Sequence, residues 1–329
     1  MRRRDFIKVV VGVALATPFT AQAQQTGRMR RVGVLVNLAK DDPLGQERQK
    51  AFLEGLQALG WTKGRDVQID TRWGAGDADQ FRKYAAELIA LDPDVLLATS
   101  GATMPALMQA TRTVPIVFVQ VPDPVGSGFV QSLARPGGNA TGFMQFDFSL
   151  SGKWLEVLKE IAPRVTRVAV LRDPADPAGT GQFGAIQIVA PPLGMEVRPI
   201  DVREPAEIEG GIKALASAPN GGLIITGSAP SAVHRDLIIK LAAQQRLPAV
   251  YPYRFYATDG GLVSYGPDTI DPYRRAASYV DRILRGEKPA DLPVQAPTKY
   301  QLVINRKTAK SLDLALPQAM LARADEVIE

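Results

Sequence analysis

A short run of small and hydroxylated residues, Thr99–Thr103, has the composition of a ligand-binding loop. It follows the apolar run Val95–Ala98 and precedes a stretch of helical spacing that ends near Thr111. Backbone N–H groups at the start of a helix lack partners within the chain. Together with the positive helix end they attract anionic groups such as an α-carboxylate. Ser100 and Thr103 would add side-chain donors, although one Ser or Thr capping the helix explains the same residues.

Comparable polar loops follow other apolar, strand-like runs. In an open parallel sheet ligands lie beyond the carboxyl ends of the strands, and two facing lobes would bring both sets of ends into one cleft. The similar loop Thr226-Gly227-Ser228 therefore favours ligand binding over simple capping. Asp123 and Asp173 would pair with a ligand ammonium group or, since each precedes a proline, stabilise a turn. The predicted ligand-binding residues are Asn37, Thr99, Ser100, Ala102, Thr103, Gln120, Asp123, Asp173, Ser228 and Tyr251.

Residue types that serve catalytic and metal sites are scarce. The chain has no cysteine, which excludes disulfides, thiolate metal sites and cysteine nucleophiles. It has one histidine, His234. No G-x-S-x-G elbow accompanies the histidine, and no G-x-G-x-x-G follows a strand. We therefore predict no catalytic residues, no cofactor and no metal site.

Strand-like and helix-like runs alternate after the first thirty residues. The helical runs carry apolar residues at a spacing near 3.6, as in Phe52, Leu56 and Leu59. This alternation predicts an α/β fold in which a parallel sheet has helices on both faces. The first four predicted strands are Val32–Val36, Val67–Arg72, Val95–Ala98 and Val114–Val119.

The same pattern returns in the second half of the chain. Four pairs of similar segments occur in the same order, and their offsets lie between 128 and 136 residues. Unrelated strands would scatter over a wider range, so the pattern indicates two similar, Rossmann-like lobes. The paired positions are Val32 with Val168, Val67 with Val197, Ser100 with Ser228, and Pro115 with Pro248.

The late part of the chain indicates more than one connection between the lobes. A helix-like run from Tyr273 to Leu284 and a strand-like run, Tyr300–Ile304, follow the second lobe. We expect both to pack on the first lobe, at the edge of its sheet. About three connections then join the lobes, which is the wiring of a hinge. The predicted bounds are 30–142 plus about 266–305 for lobe one and 143–262 for lobe two, with 306–329 packed on the lobes.

The first 23 residues have the pattern of an export signal. Arg2, Arg3 and Arg4 precede a short apolar run, and Ala21-Gln22-Ala23 resembles a cleavage site. The paired arginines also resemble a twin-arginine signal. We predict cleavage after Ala23 and a periplasmic protein, which without a cysteine has no lipid anchor.

Most of the net positive charge of the chain lies in this predicted signal. Four of the 39 Lys and Arg residues and one of the 34 Asp and Glu residues lie in it, which leaves 35 against 33. The remainder, with a net charge near +2, gives no reason to expect nucleic-acid binding.

Many short motifs together resemble the ABC transporter substrate-binding protein family. They are spread over nearly all of the chain that follows the signal. The motifs include Gly55-Leu56, Leu59-Gly60-Trp61, Arg72–Asp77, Pro93–Ala98, Pro115–Phe118, Asp123–Gly128, Leu133–Asn139, Thr141-Gly142, Lys153–Glu156, Pro219–Leu223, Tyr265–Asp268, Ala276-Ala277, Ile283–Gly286 and Pro289–Pro293.

The resemblance implies a type I periplasmic-binding-protein fold with a hinged cleft. It also implies a monomeric receptor that binds a small solute, such as an amino acid or another small carboxylate, and delivers it to an ABC permease in the inner membrane. Some members are similar to tryptophan- or aromatic-amino-acid-binding proteins. Two alternatives stay open: a ligand sensor that feeds a membrane receptor, and an exported enzyme that uses the cleft.

Overall fold

The computed structural model describes residues 29–148 and 150–329, and the predicted signal 1–23 lies outside them. Two β-sheets, each covered by helices on both faces, form two lobes. This arrangement confirms the predicted α/β fold. No helix in the described part of the chain has the length and apolar character needed to cross a bilayer.

The first lobe contains a five-stranded parallel sheet in the order β2-β1-β3-β4-β5. Side chains alternate along each strand, so Val32, Val34 and Val36 pack on one face and Leu35 on the other. The strands are β1 (Arg30–Val36), β2 (Val67–Trp73), β3 (Val95–Ala98), β4 (Ile116–Val121) and β5 (Ala140–Met144). The connecting helices are α1 (Pro43–Ala58), α2 (Ala78–Ala90) and α3 (Met104–Ala110).

The second lobe contains a seven-stranded sheet in the order β12-β11-β10-β9-β8-β6-β7, and β11 runs antiparallel to β10. The strands are β6 (Arg167–Arg172), β7 (Glu196–Asp201), β8 (Gly221–Ile225), β9 (Ala249–Tyr251), β10 (Val263–Pro267), β11 (Tyr300–Asn305) and β12 (Glu326–Ile328). The helices of this half are α4 (Leu150–Ile161), α5 (Pro177–Val189), α6 (Pro205–Ala216), α7 (Ala229–Val233), α8 (Arg235–Gln244), α9 (Arg254–Thr258), α10 (Asp271–Leu284), α11 (Arg306–Ser311) and α12 (Gln318–Ala322).

The chain crosses between the lobes three times: after β5, between β10 and α10, and before β11. The late helix α10 packs in the first lobe as expected, but the late strand does not. β11 instead pairs with β10 in the second sheet. The edge of the first sheet beside β5 is already occupied, because Gln295 exchanges backbone hydrogen bonds with Gly142 (2.9 Å) and Met144 (2.8 Å).

The pairing of the strands corrects several predicted lobe boundaries. β5 extends the first lobe to residue 144, beyond the predicted 142, and β10 extends the second lobe to residue 267, beyond the predicted 262. The return to the first lobe ends near residue 299 and not at 305, since residues 300–305 form β11. The C-terminal segment packs on the second lobe, where β12 adds the last strand and Met320 enters the core around Trp154.

Helices α1 and α10 approach each other closely in the first lobe. A Cβ atom on Gly55 would lie 2.7 Å from the carbonyl oxygen of Arg274 and 2.8 Å from Cβ of Ala277. Beyond the end of α1, the indole Nε1 of Trp61 donates to Asp281 at 2.8 Å. Since α1 borders the cleft between the lobes, this packing also sets the geometry described next.

We predict that Gly55→Ala lowers the free energy of unfolding by about 1–3 kcal/mol, because the added methyl overpacks the contact between α1 and α10. Gly210→Ala in α6 is the matched control, since nothing lies within 4 Å of its added Cβ. That control raises the free energy of unfolding by up to about 1 kcal/mol. Urea unfolding followed by circular dichroism measures both, and equal stability of the two variants would contradict the packing argument.

Candidate functional site

A solvent-open cavity of about 440 Å³ lies between the two lobes, at the carboxyl ends of strands from both sheets. Two crossing segments line it through Gln145 and Thr269, so the cavity adjoins the hinge. Six of the ten predicted binding residues line this cavity: Asn37, Thr99, Ser100, Ala102, Gln120 and Ser228. The structure therefore brings together residues from loops that lie far apart in the sequence.

Thr103 and Tyr251 do not line the cavity. Thr103 is fully buried, and its hydroxyl donates to the carbonyl of Ser100 at 2.9 Å. Tyr251 is buried in the second lobe, where its ring stacks on Tyr256 with centroids 5.0 Å apart. Thr103 thus stabilises the loop that contains Ser100, and Tyr251 belongs to the core of the second lobe.

Asp123 and Asp173 also lie outside the cavity lining and stabilise turns. The carboxylate of Asp123 accepts the backbone N–H of Gly126 at 2.8 Å. Asp173 accepts the N–H of Ala175 at 2.9 Å and lies 3.9 Å from the guanidinium of Arg203. These contacts support a role in stabilising turns, as the prolines that follow both aspartates suggested.

The loop after β3 lines the cavity and contains an unpartnered hydroxyl group. Ser100 has an extended backbone (φ −167°), and its side chain makes no capping hydrogen bond. Its hydroxyl is buried without a partner in the described residues. Gly101 and Ala102 begin the 3₁₀ turn that leads into α3, and both line the cavity. Ser100 therefore does not cap the helix, and its hydroxyl is left without a partner beside the cavity.

A hydrogen-bond network joins this loop to the end of β1. The hydroxyl of Thr99 donates to the side-chain oxygen of Asn37 at 2.9 Å and accepts the backbone N–H of Asn37 at 3.0 Å. The carbonyl of Thr99 accepts the hydroxyl of Tyr273 on α10 at 2.9 Å. Burial raises the pKa of Tyr273, which therefore stays a neutral donor at physiological pH.

Gln120 occupies a strained backbone position at the cavity. Its φ is +57°, and the register of β4 against β5 shifts between Phe118 and Val121. A non-glycine residue in this region costs on the order of 1–3 kcal/mol and persists where the surroundings enforce it, often at binding sites. The side-chain Nε2 of Gln120 is buried without a partner in the described residues.

Arg48 lines the cavity and was missed in the sequence. It lies on α1, which begins with Asp42 accepting the N–H of Gly45 at 2.9 Å and with Pro43 in its first turn. Among the described residues no carboxylate pairs with Arg48, and its buried Nε has no hydrogen-bond partner. The signal was its position four residues before Phe52, on the apolar face of the helix, where an arginine is unexpected.

Asp176 lines the opposite wall and was also missed. It is the N-cap of α5, where Pro177 follows and the carboxylate accepts the N–H of Ala178 at 2.9 Å. No cationic side chain pairs with it in the described part of the chain. Burial raises the pKa of Asp176, and the nearby carboxylates of Asp173 and Asp123 raise it further.

Aromatic side chains form an apolar wall beside Asp176. Tyr253 and Phe255 line the cavity with ring centroids 5.5 Å apart, and Phe129 contributes from the first lobe. The side-chain amide of Gln145, in the first crossing, donates to the hydroxyl of Tyr253. Burial raises the pKa of Tyr253, so its hydroxyl is neutral.

The hydroxyl groups of the similar loop in the second lobe, Thr226 to Ser228, already have hydrogen-bond partners. Ser228 and Ser231 form a capping box at the start of α7, and Thr226 donates to the carbonyl of Leu171 at 3.0 Å. Ser228 lines the cavity, but its hydroxyl interacts with Ser231 at 3.1 Å. The two similar loops thus differ in the donors that they leave free.

Neither a metal cluster nor a catalytic triad is evident in residues 29–148 and 150–329. No group of three or more His, Asp or Glu residues there has a metal-binding arrangement. His234 lies at the start of α8, and its Nε2 is 3.2 Å from the carbonyl of Arg203.

Comparison with known proteins identifies relatives along almost the whole described chain. A family model described as ABC transporter substrate binding protein matches residues 31–328, which confirms the resemblance seen in the sequence. A tyrosine-binding protein of Clostridioides difficile (strain R20291) is 24% identical over 297 residues, which cover 88% of this chain and 84% of that protein.

Solved structures share the fold. A conserved domain protein from Vibrio cholerae is 28% identical, with a TM-score of 0.81 over 91% of this chain and 100% of that one. An ABC domain from Streptococcus pneumoniae in complex with L-Trp is 24% identical, with a TM-score of 0.82 over 92% of this chain and 100% of that one.

We predict that Asp176→Asn raises the free energy of unfolding of the ligand-free protein at pH 7. The folded state raises the pKa of Asp176, so the ionised form costs stability above that pKa, and the cost disappears below the pKa of the unfolded chain, about 3.9. Thermal unfolding between pH 7 and pH 3 measures the difference between variant and wild type, which we expect to close on acidification.

Asp66→Asn is the control for this prediction. Hydrogen bonding to Arg65 lowers the pKa of Asp66, so removal of its charge does not raise the free energy of unfolding at pH 7. A stabilisation of the same size in both variants would show that the effect is not specific to the unpaired carboxylate of the cavity.

Proposed function

Because the chain belongs to the ABC transporter substrate-binding protein family, we propose that it is the extracytoplasmic solute receptor of an ABC importer and closes on an amino acid with an aromatic side chain. The receptor is exported by the signal 1–23, acts as a monomer in the periplasm, and delivers its ligand to a permease in the inner membrane. Members of the family are binding proteins, and we expect no turnover of the ligand.

One observation carries the proposed ligand class. Arg48 of the first lobe and Asp176 of the second lobe line the same cavity, and neither has an ion-pair partner among the described residues. A free amino acid presents a carboxylate and an ammonium group, which complement these two charges. Charged groups in partly desolvated sites are costly when unpaired, so a zwitterion relieves both costs at once.

The remaining lining supports an aromatic side chain. Tyr253, Phe255 and Phe129 provide ring surfaces, against which an aromatic ring buries a large apolar area. The relatives that bind tyrosine or contain L-Trp support the same choice. Ser100 and Gln120, which have unpartnered donors, are placed to add hydrogen bonds to the ligand.

The two lobes explain how binding is transmitted. A ligand held by Arg48 alone contacts one lobe, whereas contact with Asp176 and the aromatic wall requires the second lobe to approach. The ligand therefore stabilises the closed state by as much as these additional contacts contribute. The permease then distinguishes the loaded receptor from the empty one by its closed shape.

We predict that the protein binds L-Trp, L-Tyr or L-Phe and that its affinity depends on both charged groups of the ligand. The carboxamide and the N-acetyl derivative of the preferred amino acid each bind about 10- to 100-fold more weakly, the loss expected for one charge-assisted contact. Isothermal titration with the protein unfolded and refolded to remove any retained solute measures these affinities. Equal affinities for the acid, the amide and the N-acetyl form would rule out the zwitterion.

We also predict that Arg48→Gln weakens binding of the amino acid by about 10- to 100-fold while it leaves binding of the carboxamide nearly unchanged. Arg164→Gln, which removes an exposed positive charge outside the cavity lining, is the matched control and leaves both affinities unchanged. A similar loss for the amide would mean that Arg48 does not contact the carboxylate.

A further inference from the structure

Tyr273 lies behind Arg48 and does not itself line the cleft cavity. Its side chain is 2% exposed, and the guanidinium carbon of Arg48 lies 5.4 Å from the centre of its ring. A guanidinium within about 6 Å of an aromatic centroid is attracted to the ring face. Tyr273 thus contacts Arg48, the one cationic side chain among the described residues that line the cavity with Asp176.

Besides the ring, the hydroxyl of Tyr273 also interacts with the side chain of Arg48. Hydrogen-bonded carboxylates usually hold a functional arginine, but no carboxylate pairs with Arg48 in the described residues. A free arginine side chain has many rotamers, and holding it in one geometry requires contacts on its planar group. The ring of Tyr273 supplies such a surface, and Phe52 and Gly45 of α1 lie beside the same side chain in a small adjoining pocket.

The hydroxyl of Tyr273 fixes a second part of the same subsite. It donates to the carbonyl of Thr99, whose hydroxyl is hydrogen-bonded to Asn37. Ser100, with its unpartnered hydroxyl, is the next residue. One buried tyrosine therefore orients both the cation and the loop that supplies neutral donors.

Tyr273 is also close to the hinge in the chain. Its helix begins at Asp271, directly after the second crossing, and Asp271 pairs with Lys299 of the third crossing at 2.8 Å. The backbone N–H of Asp268 donates to the carbonyl of Lys299 at 3.0 Å, which ties the two crossings together. The subsite that Tyr273 organises is thus anchored to the segments about which the lobes move.

We propose that Tyr273 is a positioning residue that holds Arg48 and the Thr99 loop in the geometry needed to bind the carboxylate of the ligand. This inference rests on the proposed function, since it assumes a carboxylate ligand. Tyr273 acts through Arg48 and Thr99, and the ligand need not contact it.

Binding of the amino acid and of its carboxamide to Tyr273→Phe and Tyr273→Leu tests the proposal. Tyr273→Leu, which removes the ring, weakens binding of the acid by about 3- to 30-fold, the range of a cation–π contact, and leaves the amide unaffected. Tyr273→Phe keeps the ring and shows a smaller loss. Tyr273→Leu weakens binding of the acid by a smaller factor in the Arg48→Gln background than in the wild type, because its contact with Arg48 is already absent there.

Tyr279 provides a matched control on the same helix. Its hydroxyl donates to the carbonyl of Pro293, and the guanidinium carbon of Arg282 lies 5.8 Å from its ring centre, but it does not line the cleft cavity. Tyr279→Leu removes the same kind of contacts and leaves the ratio of acid to amide affinity unchanged. Equal losses for acid and amide in Tyr273→Leu, or additive losses in the double variant, would overturn the positioning role.

A readout without ligand separates this proposal from the proposed function. Phenylglyoxal modifies exposed arginines, and mass spectrometry of peptides reports the rate at Arg48 alone. We expect Tyr273→Leu to accelerate modification of Arg48 several-fold, with no change in Tyr279→Leu. An unchanged rate in Tyr273→Leu overturns the inference whether or not the wild-type protein binds an amino acid. Faster modification in a protein that binds no amino acid would instead contradict only the proposed function.

Discussion

The packing of α10 against α1 is the contact on which both the first lobe and the cleft depend. The chain leaves the second lobe after β10 and places α10 in the core of the first lobe, where Gly55 permits a backbone approach that any side chain would block. α1 carries Arg48 and α10 carries Tyr273. Close packing of the two helices therefore brings Arg48 and Tyr273 together at the carboxyl end of the first sheet, where the strands alone could not position them.

The charges of the cleft are arranged for an occupant. Arg48 and Asp176 face the cavity from opposite lobes without ion-pair partners among the described residues, and burial raises the pKa of Asp176. Such an arrangement costs stability in the empty protein. Opposite charges on a ligand remove this free-energy cost when they approach both groups. Because the two groups lie on different lobes, this gain in stability is coupled to closure. The strained backbone of Gln120, which lines the cavity, lowers the stability of the protein at the cleft further.

Much of this fold could be predicted because the sequence contains repeated patterns that are typical of strands and helices. The alternation of strands and helices, the four pairs of similar segments and the three crossings all follow from periodicity and order. The position of the late strand could not be predicted, since it depends on which sheet edge is free, and the edge beside β5 is taken by backbone hydrogen bonds from Gln295. The lobe to which β11 belongs is a property of the assembled structure.

The candidate site was predictable only where it depends on the backbone. The predicted strand ends identified the loops, and with them Asn37, Thr99 and Gln120. The sequence could not distinguish an aspartate that stabilises a turn, such as Asp173, from one that lines the cavity, such as Asp176. The similarity of the Ser100 and Ser228 loops is likewise a similarity of backbone. Ser228 is satisfied by Ser231 within its own capping box, whereas the hydroxyl of Ser100 has no partner in the described residues. The two lobes therefore repeat a fold without repeating a function: the first presents free donors and a cation, and the second presents a carboxylate and an aromatic wall.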